Sequence, residues 1–288
     1  MEAMLYLIFS ILCSALAVSV ARVTFQTKTA PLGTGAVAMA FAAAAAVVFS
    51  AVTGQFSEFG GLVAVFGVIT GITFAMACYF LSRGLEEKTF ALSPPLIRVS
   101  MAAPILLALF FIDGLDSVTQ MAAIGIVVVG VAAAVLVWEG RSPDAEKSGG
   151  LQSRPLNTIF VLAVFAFVFL GMQAFNAVVL NQHESGLFLI FMFASAAVVL
   201  LALGMARKQN ISGVPQAAAV GLLLFGGYLF LLLSLARLPN WQVFGFVTGG
   251  HLALGLAVGV LLGRDKLKPL GYVGLAAAAA GAVLILLS

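Results

Sequence analysis

Charge is scarce in this chain. Asp, Glu, Lys and Arg make up 9% of its 288 residues, against about 25% in an ordinary soluble domain. With 62% hydrophobic residues and a mean hydropathy of +1.17, a soluble fold of this length could not hide its apolar surface. Cysteine is nearly absent too. Cys13 and Cys78 each fall within an apolar run and show no CxxC spacing, which excludes a disulfide framework or a zinc ribbon and leaves two small packing residues. There is no HExxH, no Cys/His/Asp cluster and no pair of carboxylates inside an apolar run. The usual metal-hydrolase and acid–base enzyme sites are thereby missing, and the expectation is a non-enzyme without metal or cofactor. The net charge of +3 does not point to nucleic acid, because the basic residues lie in short loops.

What fills the chain instead is a series of apolar runs, each close to the roughly twenty residues that cross a bilayer as a helix. Ten can be marked off: Ala3–Ala21, Pro31–Thr53, Gly61–Leu81, Thr89–Ile112, Ser117–Trp138, Leu156–Leu180, Gly186–Met205, Val214–Ala236, Asn240–Leu262 and Pro269–Leu287. The first has no basic stretch before it and Glu2 as its only charge, so it reads as a retained span rather than a signal peptide. The fold class expected is an all-α polytopic membrane protein with ten transmembrane helices, its partners a lipid bilayer and a small-molecule substrate.

The loops carry a strong bias. Those after the odd-numbered runs hold Arg22, Lys28, Arg83, Lys88, Arg141, Lys147, Arg154, Arg207, Lys208, Arg264, Lys266 and Lys268. The opposite side has only Arg237, and Arg98 within a run completes the fourteen Lys and Arg. Basic loops stay cytoplasmic, which predicts a multi-pass plasma (inner) membrane protein with both termini extracytoplasmic.

A polar stretch with Pro143, Gly149, Gly150 and Pro155 reads as a linker. It divides the chain into a first five-helix repeat (1–140), the linker (141–155) and a second repeat (156–288). Tyr79-Phe-Leu-Ser-Arg-Gly-Leu85 and Leu232-Leu-Ser-Leu-Ala-Arg-Leu238 each leave a run just before a polar turn, and matching Leu85 to Leu238 sets an offset of 153 residues. The same offset carries Arg98 onto His251. Five spans per half force the halves into opposite orientation, an inverted repeat, which in secondary transporters places the substrate site near the midplane at the repeat interface.

Arg98 is the principal site candidate. It lies ten residues from Lys88 and fourteen from Ile112, near mid-membrane, where a charge is expensive and faces a bundle interior or a watery path. Guanidinium is always charged and grips carboxylate or phosphate bidentately. No Asp or Glu lies deep in any run to neutralise it, so the counter-charge could be the substrate. The alternative is that Arg98 caps carbonyls freed by Pro94 and Pro95. His251 is either a neutral packing residue or a titrating group, with protons as a possible coupling ion. Gln173 and Asn176, three apart, share a helix face; their amides suit an α-amino or hydroxyl group, or else glue helices together. Tyr79 and Trp241 could stack on a substrate, although both sit near segment ends where an aromatic belt is common, and Trp241 is expected there.

Ten spans in a five-plus-five duplication, with charged turns Asp113-Gly-Leu-Asp-Ser-Val-Thr-Gln120 and Gly263-Arg-Asp-Lys-Leu-Lys268 before Gly-rich closing helices, resemble the EamA-type members of the drug/metabolite transporter superfamily. The resemblance covers nearly the whole length. Asp116 and Asp265 stand where the family's turns usually have Glu, and the Trp-Gly usual in its first span is absent around Ser14. The resemblance implies export or exchange of small metabolites, amino acids among them, by alternating access, as a monomer or homodimer. It also implies an anion-gripping role for Arg98 and, more weakly, His251. Two other classes compete. A multidrug or cation exporter would depend on a membrane-embedded glutamate, which this chain lacks; a non-transport membrane scaffold has no feature in its favour.

Overall fold

The computed structural model describes residues 2–25, 31–58, 60–86, 100–139, 155–178, 184–209, 213–261 and 269–288. Among them the α-helices are α1 (Glu2–Phe25), α2 (Pro31–Val52), α3 (Gly61–Glu86), α4 (Ala102–Leu107), α5 (Gln120–Glu139), α6 (Pro155–Val178), α7 (Ser185–Ala206), α8 (Val214–Leu235), α9 (Asn240–Leu261) and α10 (Pro269–Leu286). No strand occurs among the described residues. Proline opens α2, α6 and α10 as their first residue, where its missing N–H costs nothing and its fixed φ suits the first turn. α4 runs directly into a π-helical stretch, Ala108–Ile112.

Seven of these helices are long and apolar enough to cross a membrane, and three shorter apolar helices, Ala102–Ile112, Gln120–Val135 and Ala163–Val178, occupy the remaining runs. Large apolar side chains cover the outside: Val48, Ile69, Phe111, Val127, Phe167, Val198 and Val273 are each more than half exposed. So much exposed apolar surface marks a lipid-facing molecule. This is a multi-helix membrane protein. The proposed linker, 141–155, lies outside the described residues apart from Pro155 at the start of α6, as does the segment 87–99 that holds Arg98.

Eight helices close a ring. Going round it, α1 packs on α8, α8 on α2, α2 on α7, α7 on α3, α3 on α6, α6 on α4, α4 on α9, and α9 returns to α1. α5 and α10 pack on each other and against α9 outside the ring. Two of these seams are so tight that only glycine fits. A Cβ on Gly71 would run into the backbone carbonyl of Met192, and one on Gly221 into that of Ala38. In lipid, where apolar surface gains little by leaving its solvent, such close backbone approach is a main source of helix association.

The two ends of the bundle differ. At one end Arg237, after α8, pairs with Glu2 at the start of α1, and Gln55 accepts a hydrogen bond from the Gly186 backbone N–H at 2.9 Å. Gln242 at the start of α9 donates to the Ile285 carbonyl at the end of α10 at 3.3 Å. Both chain ends therefore share this end with Asp113, Asp116 and Glu184. At the other end Gln209, beside Arg207 and Lys208, accepts from the Leu32 backbone N–H at 3.0 Å.

Candidate functional site

α6 and α9 both flank α4, yet they are not among the pairs whose backbones run close together. Two rings bridge them instead: Phe169 and Phe244 meet edge to face with centroids 6.2 Å apart. Residues four and seven apart share a helix face. On α6 the face of Phe169 continues through Gln173 and Asn176. On α9 the face of Phe244 includes Asn240 before it and Thr248 and His251 after it. Thr248 bonds its own helix at the Phe244 carbonyl, 2.6 Å away, and lies 3.2 Å from the Met101 sulfur just ahead of α4. The two faces and the start of α4 thus enclose one interior region.

The helices run antiparallel. Asn176 donates through Nδ2 to the Leu235 carbonyl, 2.9 Å away at the end of α8, and α9 begins five residues later. Moving up α6 from Phe169 therefore means moving back along α9 from Phe244. Gln173 lies one turn up α6, about 6 Å, and Asn240 lies one turn back along α9, so the two come level.

Gln173 is fully buried, and neither its Nε2 nor its Oε1 has a hydrogen-bond partner. A buried amide left so costs about 1–3 kcal/mol relative to a satisfied one. Asn240 is 7% exposed and donates through Nδ2 to Asp113 Oδ1 at 3.2 Å, while its own Oδ1 is buried without a partner. The carboxylate of Asp113 spans two groups, its Oδ2 accepting from the Trp241 backbone N–H at 3.1 Å. It caps the amino end of α9, satisfying one of the donors every helix start leaves free and placing negative charge at the positive end of the helix dipole.

The sequence candidates separate on this frame. Gln173 and Asn176 do share a face, but Asn176 is engaged by a backbone carbonyl and Gln173 is not. His251 is buried, on the face of Thr248. It lies seven residues beyond Phe244, about 10 Å further along α9, so the structure leaves roughly 16 Å of helix axis between the levels of His251 and Gln173. Tyr79 is at the basic end of α3, where its hydroxyl accepts from Arg207 at 2.8 Å and the guanidinium lies 4.8 Å from its ring centroid. Arg98 lies outside the described residues. Trp241 departs from the expected lipid interface: it is 3% exposed, with its indole N–H donating to Ser117 Oγ at 3.1 Å. The Asp113 turn pulls the start of α9, and Trp241 with it, into protein.

Sequence reasoning missed Asn240 and Asp113 as an interacting pair. Asn240 did carry a signal, a capping-type residue after Pro239 at the head of an apolar run; its partner, 127 residues away, carried none. Among the described residues, no three His, Cys, Asp or Glu side chains gather as metal ligands.

No family model matches this chain, and no curated protein matches it either. A solved structure described as the crystal structure of a protein is similar over 99% of this chain and 96% of its own, with a TM-score of 0.71 at 14% identity. At that identity the likeness is one of fold, and it extends over the whole length.

Proposed function

We propose that this chain is a secondary-active transporter, an exporter or exchanger of small anionic or zwitterionic metabolites such as amino acids or organic acids. It would work by alternating access, in the manner of the drug/metabolite transporters it resembles. The observation that carries the reading is the ring. Replace every helix by the one five places along, α1 by α6 and α4 by α9, and each neighbouring pair in the ring maps onto a neighbouring pair of the same ring, α2–α7 and α4–α9 onto themselves. Such a closed exchange is what two inverted five-helix repeats around a pseudo-twofold axis would produce. The tight seams support it: α3 on α7 at Gly71 exchanges with α8 on α2 at Gly221. Where α5 meets its own counterpart α10, Gly125 and Gly281 face each other's carbonyls at 2.9 Å from the missing Cβ.

On this reading the axis passes between α4 and α9, which exchange with each other when the halves are swapped. Arg98 would supply the cationic grip on a carboxylate or phosphate. The acidic end that holds both termini would face outward and the basic end the cytoplasm.

A ligand that binds the native state raises its apparent stability by mass action, about 2.7 kcal/mol at a hundredfold excess over Kd. The test is thermal unfolding of the purified protein against amino acids, organic acids, phosphate esters and lipophilic cations. Stabilisation by carboxylates or phosphates that disappears in Arg98→Gln is the expected result. Stabilisation by lipophilic cations alone, unaffected by Arg98→Gln, would replace this reading with multidrug export.

A further inference from the structure

We infer that Gln173 and Asn240, steadied by Asp113, form a subsite for the ammonium group of a zwitterionic ligand. The inference rests on the transporter reading and narrows it from anionic or zwitterionic metabolites to molecules carrying an amine beside an acid.

Gln173 Nε2, Gln173 Oε1 and Asn240 Oδ1 are buried side-chain atoms without a hydrogen-bond partner. They come from two helix faces that meet at Phe169 and Phe244, and they lie level, one turn from that contact on the same side. Orphaned amides are rare in folded proteins because each forfeits its bonds to water. Three such atoms at one level, between helices whose backbones do not pack closely, leave unspent bonding capacity for one guest.

The chemistry of the guest follows from what is left over. Two of the three atoms are acceptors, so the guest must donate at least twice. Asn240 commits its NH2 to Asp113, and a planar amide held by its nitrogen turns its oxygen the other way. Asp113 adds negative charge one bond behind that amide. A carboxylate or phosphate placed here would face two carbonyl oxygens and a nearby anion. An ammonium would find two acceptors and a favourable field. The remaining donor, Gln173 Nε2, suits an oxygen on the same molecule, such as the carboxylate of an α-amino acid. Asn176, three residues on, is unavailable because it already serves Leu235.

The experiment compares purified wild-type protein with Gln173→Met and Gln173→Asn by isothermal titration and thermal unfolding. The probes are free amino acids, their N-acetyl derivatives and matched organic acids without the amine. Free amino acids should bind the wild type about tenfold or more tighter than their N-acetyl forms, in keeping with a hydrogen-bonded charged group. Gln173→Met should erase that preference while raising the melting temperature of the ligand-free protein, because it removes an unsatisfied amide. Gln173→Asn, with the amide kept but withdrawn by one methylene, should retain part of the preference. Equal binding of amino, N-acetyl and organic acids would overturn the ammonium subsite and leave the anion transporter standing. A ligand-free Gln173→Met protein that melts lower, with the amine preference intact, would overturn it as well, marking Gln173 as a water-satisfied structural group. Binding of phosphate esters but of none of the three acid classes would overturn the subsite and leave the anion transporter standing, whereas binding of neither would sink the anion-transporter reading itself.

Discussion

At the scale of single residues, helical spacing alone puts Gln173 and Asn176 on one face, because a three-residue step is local geometry. Which of the two amides is already engaged is not legible in the sequence. The partner of Asn176 is the carbonyl of Leu235, and that carbonyl is free only because it ends α8; helix ends leave their last carbonyls without intrahelical donors. Replacing Asn176 by Leu should therefore lower stability by roughly 0.5–1.5 kcal/mol, the range for one hydrogen bond in a membrane bundle, with ligand affinity unchanged; thermal unfolding with and without ligand measures both. Asp113→Ala removes the cap of α9 and is expected to cost about 1–2 kcal/mol. Because Trp241 is held through the same turn, its fluorescence should shift to the red as the indole is released.

At the scale of elements, the run boundaries and the helices agree to within a few residues wherever the chain is described, since proline starts and polar turns are written in the sequence. Contacts between helices are harder to read. Hydrophobicity says that Gly61–Leu81 is a span but not which neighbour it will press against, because every helix in lipid is apolar on most sides. The glycines hold that information in a form visible only after folding. Gly71→Ala should destabilise the α3–α7 seam by more than the helix propensity of alanine returns, a net loss of about 1–3 kcal/mol from overpacking. Gly130→Ala, with nothing within 4 Å of the new methyl, should be neutral or gain up to about 1 kcal/mol. Opposite signs for the two, in parallel melts, would confirm that contact rather than propensity decides.

For the whole molecule, the even number of apolar runs and the lopsided loops together predict two termini on one side, and the structure gathers Glu2 and Ile285 at one end of the bundle through Arg237 and Gln242. The cyclic order of the helices is out of reach of the sequence: α2 contacts α7 and α8 more extensively than α3, its neighbour along the chain. The side each end faces can be measured directly. After replacement of Cys13 and Cys78, a membrane-impermeant maleimide applied to intact cells should label Ser288→Cys and spare Lys208→Cys. The reverse pattern would invert the orientation inferred from the basic loops.

The wide turn that follows α4 ties these scales together. From Ala108 to Ile112 the helix is wound as a π-helix, and the Asp113 N–H reaches back five residues to the Ala108 carbonyl at 2.8 Å. A π turn holds about one residue more than an α turn. Rewinding it would swing everything after Ile112 around the helix axis relative to everything before Ala108. Asp113 is the first residue carried by that swing, and its carboxylate is what pins α9 at Trp241 and Asn240. The extra residue of the turn thus sits immediately before the carboxylate that pins α9, so any change of winding between Ala108 and Ile112 is felt first at the head of α9.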